Sequence, residues 1–404
     1  MNFDRTQLDG SRYDVVVVGG GVMGSATAFS LSRRASSSSS SSSSCGGVLL
    51  LEQYYFGHRR GSSHGSSRII RKSYHEDYYC KMMHRSFELW DQVEDLAKTK
   101  VITKTGGLDF VKRGTEVERK LKESMAKAGV AFEEIEDVGV LETTFPGFSM
   151  PEGYTCLHSA DAGVVNASKA CEVLQCLARK HGAHLVDQVK VLSVDEDPAT
   201  RALVLETSAG KIMADKLVLT AGAWNQRLVK SNFQLDLLMK PINTTVVYWK
   251  CEEEKDSAAY VRSPVFIVYQ DDDRVLNAYG TPALEYPGLL KFCLHSGPAC
   301  DPETRLCIPN LKDIELHLKD LTRAFLPKVD ASQHVSAEAC MYTNTRDENF
   351  ILDCLPSNKN IVVGAGFSGH GFKFAPLIGD ILADLATGKT AEFPLKPFSI
   401  HRFL

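Results

Sequence analysis

Three glycines, Gly19, Gly21 and Gly24, follow the β-branched run Asp14 to Val18 (DVVVV) in the spacing G-x-G-x-x-G. Glycines at that spacing let a chain turn tightly and approach a pyrophosphate, and a helix opening there adds the positive end of its dipole. The chemistry implied is dinucleotide binding. Glu52, at the end of the run Val48 to Glu52 (VLLLE), supplies a carboxylate that accepts hydrogen bonds from a ribose. It stands 28 residues past Gly24 instead of the usual ~20, and the intervening serine run, Ser36 to Ser44, accounts for the excess. The motif does not separate NAD from FAD. A second such spacing, Gly364-x-Gly366-x-x-Gly369, follows another apolar run, but too little chain succeeds it for a complete βαβ unit. That turn is expected to cover the far end of the same cofactor.

These residues need strands and helices to hold them. The glycine motif reads as strand, tight turn, helix, and Val48 to Glu52 as the next strand. Leu217 to Trp224 (LVLTAGAW) reads as a third strand beside the first, running into a glycine turn at Gly222. From Tyr78 to Lys98, Met83, Phe87, Trp90 and Val93 recur at helical spacing and define an amphipathic helix. Asn360 to Val363 is again a strand, and Pro376 to Leu385 a helix. The stretches 101–151 and 224–335 alternate short apolar runs with turns, as a largely antiparallel sheet does. The expected fold is α/β in two domains, a Rossmann-like dinucleotide layer interwoven with a mixed, largely antiparallel substrate domain. Residues 1–100, 152–223 and 336–404 are assigned to the first, 101–151 and 224–335 to the second. The serine run 36–44 is expected to be a surface insertion.

Composition sets limits. The chain has 404 residues, 44% of them hydrophobic, enough for a sizeable core. A net charge of −4 and a pI near 6.3 leave no basic excess to neutralise phosphates, which argues against nucleic acid as a partner. No apolar run approaches the ~20 residues that span a bilayer, so no membrane association is expected. Met1 to Tyr13 has no signal-peptide core, so an intracellular compartment is expected, and with it thiols instead of disulfides among the eleven cysteines. Cys293, Cys300 and Cys307 recur every seven residues without a CxxC pair and read as packing residues.

From about Asp14 to Ile400 the chain resembles monomeric sarcosine oxidase, L-pipecolate oxidase and N-methyltryptophan oxidase, within the glycine-oxidase and D-amino-acid-oxidase group of flavoproteins. The resemblance is carried by Gly65 to Arg71 (GSSRIIR), LVLTAGAW, Cys340 to Thr345 (CMYTNT) and Gly364 to Phe374 (GAGFSGHGFKF). It implies FAD as the cofactor, joined covalently through the Cys340 sulfur. It implies contacts to FAD from Gly19, Gly21, Val22, Met23, Gly24, Glu52, Ser67, Arg68, Val191 and Gly222. Near the C-terminus it adds Gly366, Gly369, His370, Gly371 and Lys373.

The same resemblance assigns the substrate carboxylate to Arg71 and Lys373, a guanidinium fork and an ammonium, which together orient and bind it. Arg68 corresponds to a cation over the flavin ring. Lys291 matches the lysine that stabilises negative charge developing on dioxygen, and His295 and His370 match pocket histidines near the amine. Strand alternation puts Lys291, Cys293 and His295 on one face. Tyr279 and Tyr342 match pocket tyrosines, although the stretch from Tyr279 to Lys291 is one residue longer than the family pattern. The implied activity is oxidation of a small secondary amino acid such as sarcosine or L-pipecolate by hydride transfer to FAD. The imine is then hydrolysed and oxygen is reduced to hydrogen peroxide. Two alternatives stay open: a dehydrogenase passing electrons to a protein acceptor, and a nucleotide-binding protein without catalysis. A monomer is expected, peroxisomal or cytoplasmic; the ending His401-Arg402-Phe403-Leu404 departs from the SKL-type address.

Overall fold

The computed structural model describes residues 7–37, 47–252, 254–270, 277–311 and 315–403. Its first strand, Ser11–Val18, is covered on both faces: Val15 and Val17 enter one apolar cluster, Val16 and Val18 another. This explains a continuous β-branched run where a half-exposed strand would alternate. The strand pairs in parallel with Val48–Leu51 on one side and Gly210–Leu219 on the other. Helix Val22–Ser37 makes the crossover between the first two strands. Gly210–Leu219 starts in an antiparallel pairing with Leu203–Thr207 and ends in a parallel one with Ile361–Ala365, so the late glycine turn emerges beside the early one. Helices Val22–Ser37, Ala167–Lys180 and Ala375–Ala386 pack together over this sheet. Asp77–Ala97 closes the layer with the stripe Met83, Phe87, Trp90 and Val93, all buried. Each such side chain contributes about 1.5–3 kcal/mol on burial.

The second sheet has eight strands, in the order Ser336–Asn344, Lys240–Lys250, Leu289–Leu294, Ala278–Tyr286, Val265–Val268, Gly107–Lys112, Tyr154–Ser159, Glu133–Ile135. All its pairings are antiparallel except Val265–Val268 with Gly107–Lys112. The mixed, largely antiparallel expectation is therefore met. Two strands fall elsewhere than the sequence division put them. Ser336–Asn344 and Tyr154–Ser159 were assigned to the dinucleotide layer, yet all nine residues of Ser336–Asn344 pair along Lys240–Lys250. Apolar periodicity marks a strand but carries no signal for which sheet it joins. A third, three-stranded sheet of Arg68–Ile70, Gly163–Val165 and Ile102–Lys104 carries the arginine block.

The serine insertion lies outside the described residues from 38 to 46, and the helix before it runs to Ser37. Among the described residues no helix is long and apolar enough to cross a membrane.

Candidate active site

Two cavities meet where the sheets meet. The first, about 690 Å³, is lined by the turn Gly19 to Met23 and Glu52 and by Thr220 to Trp224, Gly366 to Gly369, Gly371 and Phe372, His370 lying in the second alone. Its size falls within the ~300–1,000 Å³ of cofactor and ligand sites. The turn forms because Gly24 sits against the strand end: a Cβ there would lie 1.9 Å from the Gly19 carbonyl oxygen. The Gly20 N–H donates to Glu52 Oε2 (2.8 Å) and the Tyr54 N–H to Oε1 (2.9 Å), fixing the carboxylate at the cavity floor. Val191 and Gly222 line the same space. Trp224 Nε1 and both ring nitrogens of His64 face it buried and without a protein partner. A narrow backbone cradle, an anchored carboxylate and orphaned polar atoms fit a dinucleotide, since buried polar groups are otherwise hydrogen-bonded.

The second cavity, about 250 Å³, shares Arg68, Tyr342, Gly369 and Phe372 with the first. Gly369, at φ +76°, is the hinge between them; a Cβ would lie 2.6 Å from both His295 and Tyr342. Arg71 and Lys373 both line this smaller space, from the third sheet and from the start of the C-terminal helical segment. The Tyr74 ring lies between them, 4.7 Å from the Arg71 guanidinium carbon and 5.3 Å from Lys373 Nζ. Lys373 Nζ donates to the Tyr74 hydroxyl (2.7 Å) and the His370 carbonyl (2.8 Å). Tyr74 in turn meets His370 Nδ1 at 3.3 Å, while His370 Nε2 lies 3.0 Å from the Glu348 carbonyl. A carbonyl only accepts, so Nε2 carries the proton and Nδ1 accepts from Tyr74.

Arg71 is already engaged. It donates to the Ser73 carbonyl and hydroxyl, the latter at 2.8 Å, and stands 3.8 Å from Asp109, a carboxylate only 3% exposed. Asp109 Oδ1 has no hydrogen-bond partner, and burial raises its carboxyl above the ordinary range against the pull of Arg71. Burial, then Lys373 and Arg71, pushes His295 down to about 4. Burial and Lys373 lower His370 as well. Both histidines are therefore neutral at pH 7, which leaves Arg71 and Lys373 as the basic groups facing the carboxylate site.

Lys373 itself is pushed well below the usual lysine range by burial and by Arg71. A bound carboxylate supplies a counter-charge and restores its basicity. Affinity gained this way is complete below the free-state value and lost as pH rises through the bound-state value. Calorimetric titration with a small unreactive carboxylate is thus expected to show weakening affinity from neutral to alkaline pH; an affinity that strengthens would contradict the assignment.

Nearer the first cavity, Arg68 donates to the Ser67 and His64 carbonyls, both at 2.7 Å, and stands 3.9 Å from the Cys340 sulfur. Lys291, 5% exposed, donates to Ser67 Oγ (2.9 Å) and Glu285 Oε1 (3.2 Å). Lys291 and His295 line the second cavity, with Cys293 buried between them. The Tyr342 hydroxyl donates to that of Tyr279 at 3.3 Å. A register shift falls between Thr281 and Tyr286, and Tyr279 stands in line opposite Cys293. The sequence-derived residues Arg68, Arg71, Tyr279, Lys291, His295, Cys340, Tyr342, His370 and Lys373 thus gather around one cavity. Gly371 lines the first cavity only, Ser67 the second only. Sequence reasoning missed Tyr74, Asp109 and Glu285. Tyr74 stood three residues past Arg71, and Asp109 was a lone acid in an apolar strand, each a usable signal.

A protein built this way binds a dinucleotide and presents a small anion to one end of it. The chain belongs to the FAD dependent oxidoreductase (DAO) family, whose model matches residues 14–385. It is 37% identical to a probable sarcosine oxidase of Arabidopsis thaliana, over 98% of this chain and 94% of that one. It is 37% identical to a peroxisomal sarcosine oxidase of Mus musculus (97% and 96% covered) and 33% to a monomeric sarcosine oxidase of a Bacillus species (97% and 96%). The fold matches the open form of NikD, an unusual amino acid oxidase, with a TM-score of 0.79 at 22% identity, covering 96% of this chain and 97% of that one. It matches glycine oxidase from Geobacillus kaustophilus at 0.76 and 20% identity, covering 98% and 100%.

Proposed function

We propose that the protein oxidises a small secondary amino acid, sarcosine, L-pipecolate or a similar N-alkyl amino acid, with FAD as cofactor and oxygen as final acceptor. One observation carries this reading: Arg71 and Lys373 converge around Tyr74 in the cavity that joins the dinucleotide cavity at Arg68, Tyr342 and Gly369. When bound, FAD would supply the hydride acceptor and the route for two electrons to oxygen, with hydrogen peroxide as product.

The chain's own residues prepare the substrate. The carboxylate is gripped by the Arg71 fork and the Lys373 ammonium, which orients the adjacent C–H and N–H toward the junction of the cavities. The same two cations disfavour a third positive charge, so the substrate amine is held neutral with its lone pair available to stabilise the developing iminium. Neutral His295 and His370 add no competing charge. Lys291, beside Ser67, offers a positive charge where dioxygen becomes negative. The imine released is hydrolysed by water.

The two interwoven halves divide this labour, the sheet built around Ser11–Val18 holding the nucleotide and the largely antiparallel sheet walling the substrate. The protein acts as a monomer in an intracellular compartment, peroxisomal or cytoplasmic. Anaerobic flavin reduction by a panel of secondary amino acids tests the substrate class, and an oxygen electrode without added acceptor separates an oxidase from a dehydrogenase. No bleaching by any secondary amino acid would end the proposal.

Cys340 is the proposed attachment point, a sulfur 6% exposed that lines the cavity joined to the dinucleotide site and lies 3.9 Å from Arg68. The yellow colour is expected to stay with the protein band on a denaturing gel and to be lost from that band in Cys340→Ala. Flavin freed from the unaltered protein by acid precipitation would refute the bond.

A further inference from the structure

We infer that Glu285 is a positioning residue: it is the counter-ion that keeps Lys291 charged and aimed at the cavity during oxygen reduction. The inference rests on the role of Lys291 proposed above and extends it to a residue for which neither the motifs nor the family resemblance has a part.

The geometry is specific. Strand Ala278–Tyr286 slips register between Thr281 and Tyr286 against Leu289–Leu294. Glu285 lies within the slipped stretch and faces inward. Its side chain is 9% exposed and that of Lys291 6%, with 3.2 Å between Oε1 and Nζ. Ser67 donates to the same oxygen, and the Tyr248 hydroxyl donates to Oε2 at 3.0 Å. A carboxylate this enclosed ordinarily becomes harder to ionise, yet Lys291, Ser67 and Tyr248 together hold Glu285 below its usual range despite burial.

The other groups around this lysine do not replace it. Tyr248, directly across the strand pair, and Cys293, two residues along, are both kept neutral by burial, the thiol pushed up to about 11. Arg68, which also feels Glu285, carries a like charge. Among the described residues Glu285 is the one negative charge the structure records against Lys291. A buried cation deprived of its partner is strongly disfavoured, and it escapes by releasing its proton or by unfolding the protein.

The test uses the purified holoenzyme and three variants: Glu285→Gln, Lys291→Met and the double change. Stopped-flow reoxidation by oxygen is followed against pH, with anaerobic reduction by substrate as the internal comparison, and thermal unfolding is measured on each. In Glu285→Gln, reoxidation is expected to fall by at least about tenfold toward alkaline pH and to recover on the acid side, where the lysine regains its proton. The parent profile is expected to be flat over that range and anaerobic reduction to change little. The Glu285→Gln unfolding midpoint should drop by several degrees and be restored in the double variant. A Glu285→Gln protein whose reoxidation keeps the parent's pH profile, whether at the same rate or uniformly slower, overturns the inference and leaves the reading of Lys291 intact. Lys291→Met reoxidising at the parent rate overturns both. If Glu285→Gln yields no folded protein, recovery of the double variant supports the pairing and failure of both refutes it.

Discussion

Lys291→Met is expected to reoxidise about 10²–10³ times more slowly than the parent protein while its anaerobic reduction by substrate stays within a few-fold. Methionine preserves the length and apolar stem of the side chain and removes only the charge. At 5% exposure, with solvent unable to screen it, that charge acts at low dielectric on whatever becomes negative beside it. The substrate clamp at Arg71 and Lys373 is formed by other elements and should be untouched. Double-mixing stopped-flow, reducing first and adding oxygen second, reads the two half-reactions apart. Equal reoxidation rates would remove the proposed role.

Loss of the carboxylate clamp is expected to act on the opposite half-reaction. Arg71→Leu should lower kcat/KM for reduction by about 10²–10³-fold, the consequence of losing a buried charge-assisted pair worth about 2–5 kcal/mol. The protein should remain yellow, because the first cavity does not include Arg71. Lys373→Met should cost less, since Lys373 is held well below its usual basicity until a carboxylate arrives. The two losses should not add, because both cations pack on the same Tyr74 ring. A retained kcat/KM in Arg71→Leu would place the carboxylate elsewhere.

How much of this was written in the chain depends on how local the signal was. Val15 to Val18 announced a strand, and Gly19, Gly21 and Gly24 announced the turn, because every residue concerned is a near neighbour in sequence. The helix stripe of Met83, Phe87, Trp90 and Val93 was legible for the same reason. Arg71 and Lys373 were not. They meet through the third sheet and the returning C-terminal strand, and only resemblance to a family brought them together. Ser336–Asn344 was placed only by its residue range, since nothing local to it names the strand it pairs with. Glu285 was hidden most thoroughly: an acid before Tyr286 and a turn looks like any solvated residue until the slipped register faces it inward. Asp109 was the avoidable omission, since an acid inside GLDFVK cannot be buried without a reason.

That last residue changes how the pocket selects its guests. With Asp109 at 3.8 Å, Arg71 does not wait as a bare cation open to any passing chloride or phosphate. An incoming acid is expected to share Arg71 with a resident one, so a molecule that also reaches Lys373, beside the same Tyr74 ring, should gain most from binding. A carboxylate fixed on a neighbouring strand would thus weaken the hold on any anion that lacks the second point of contact.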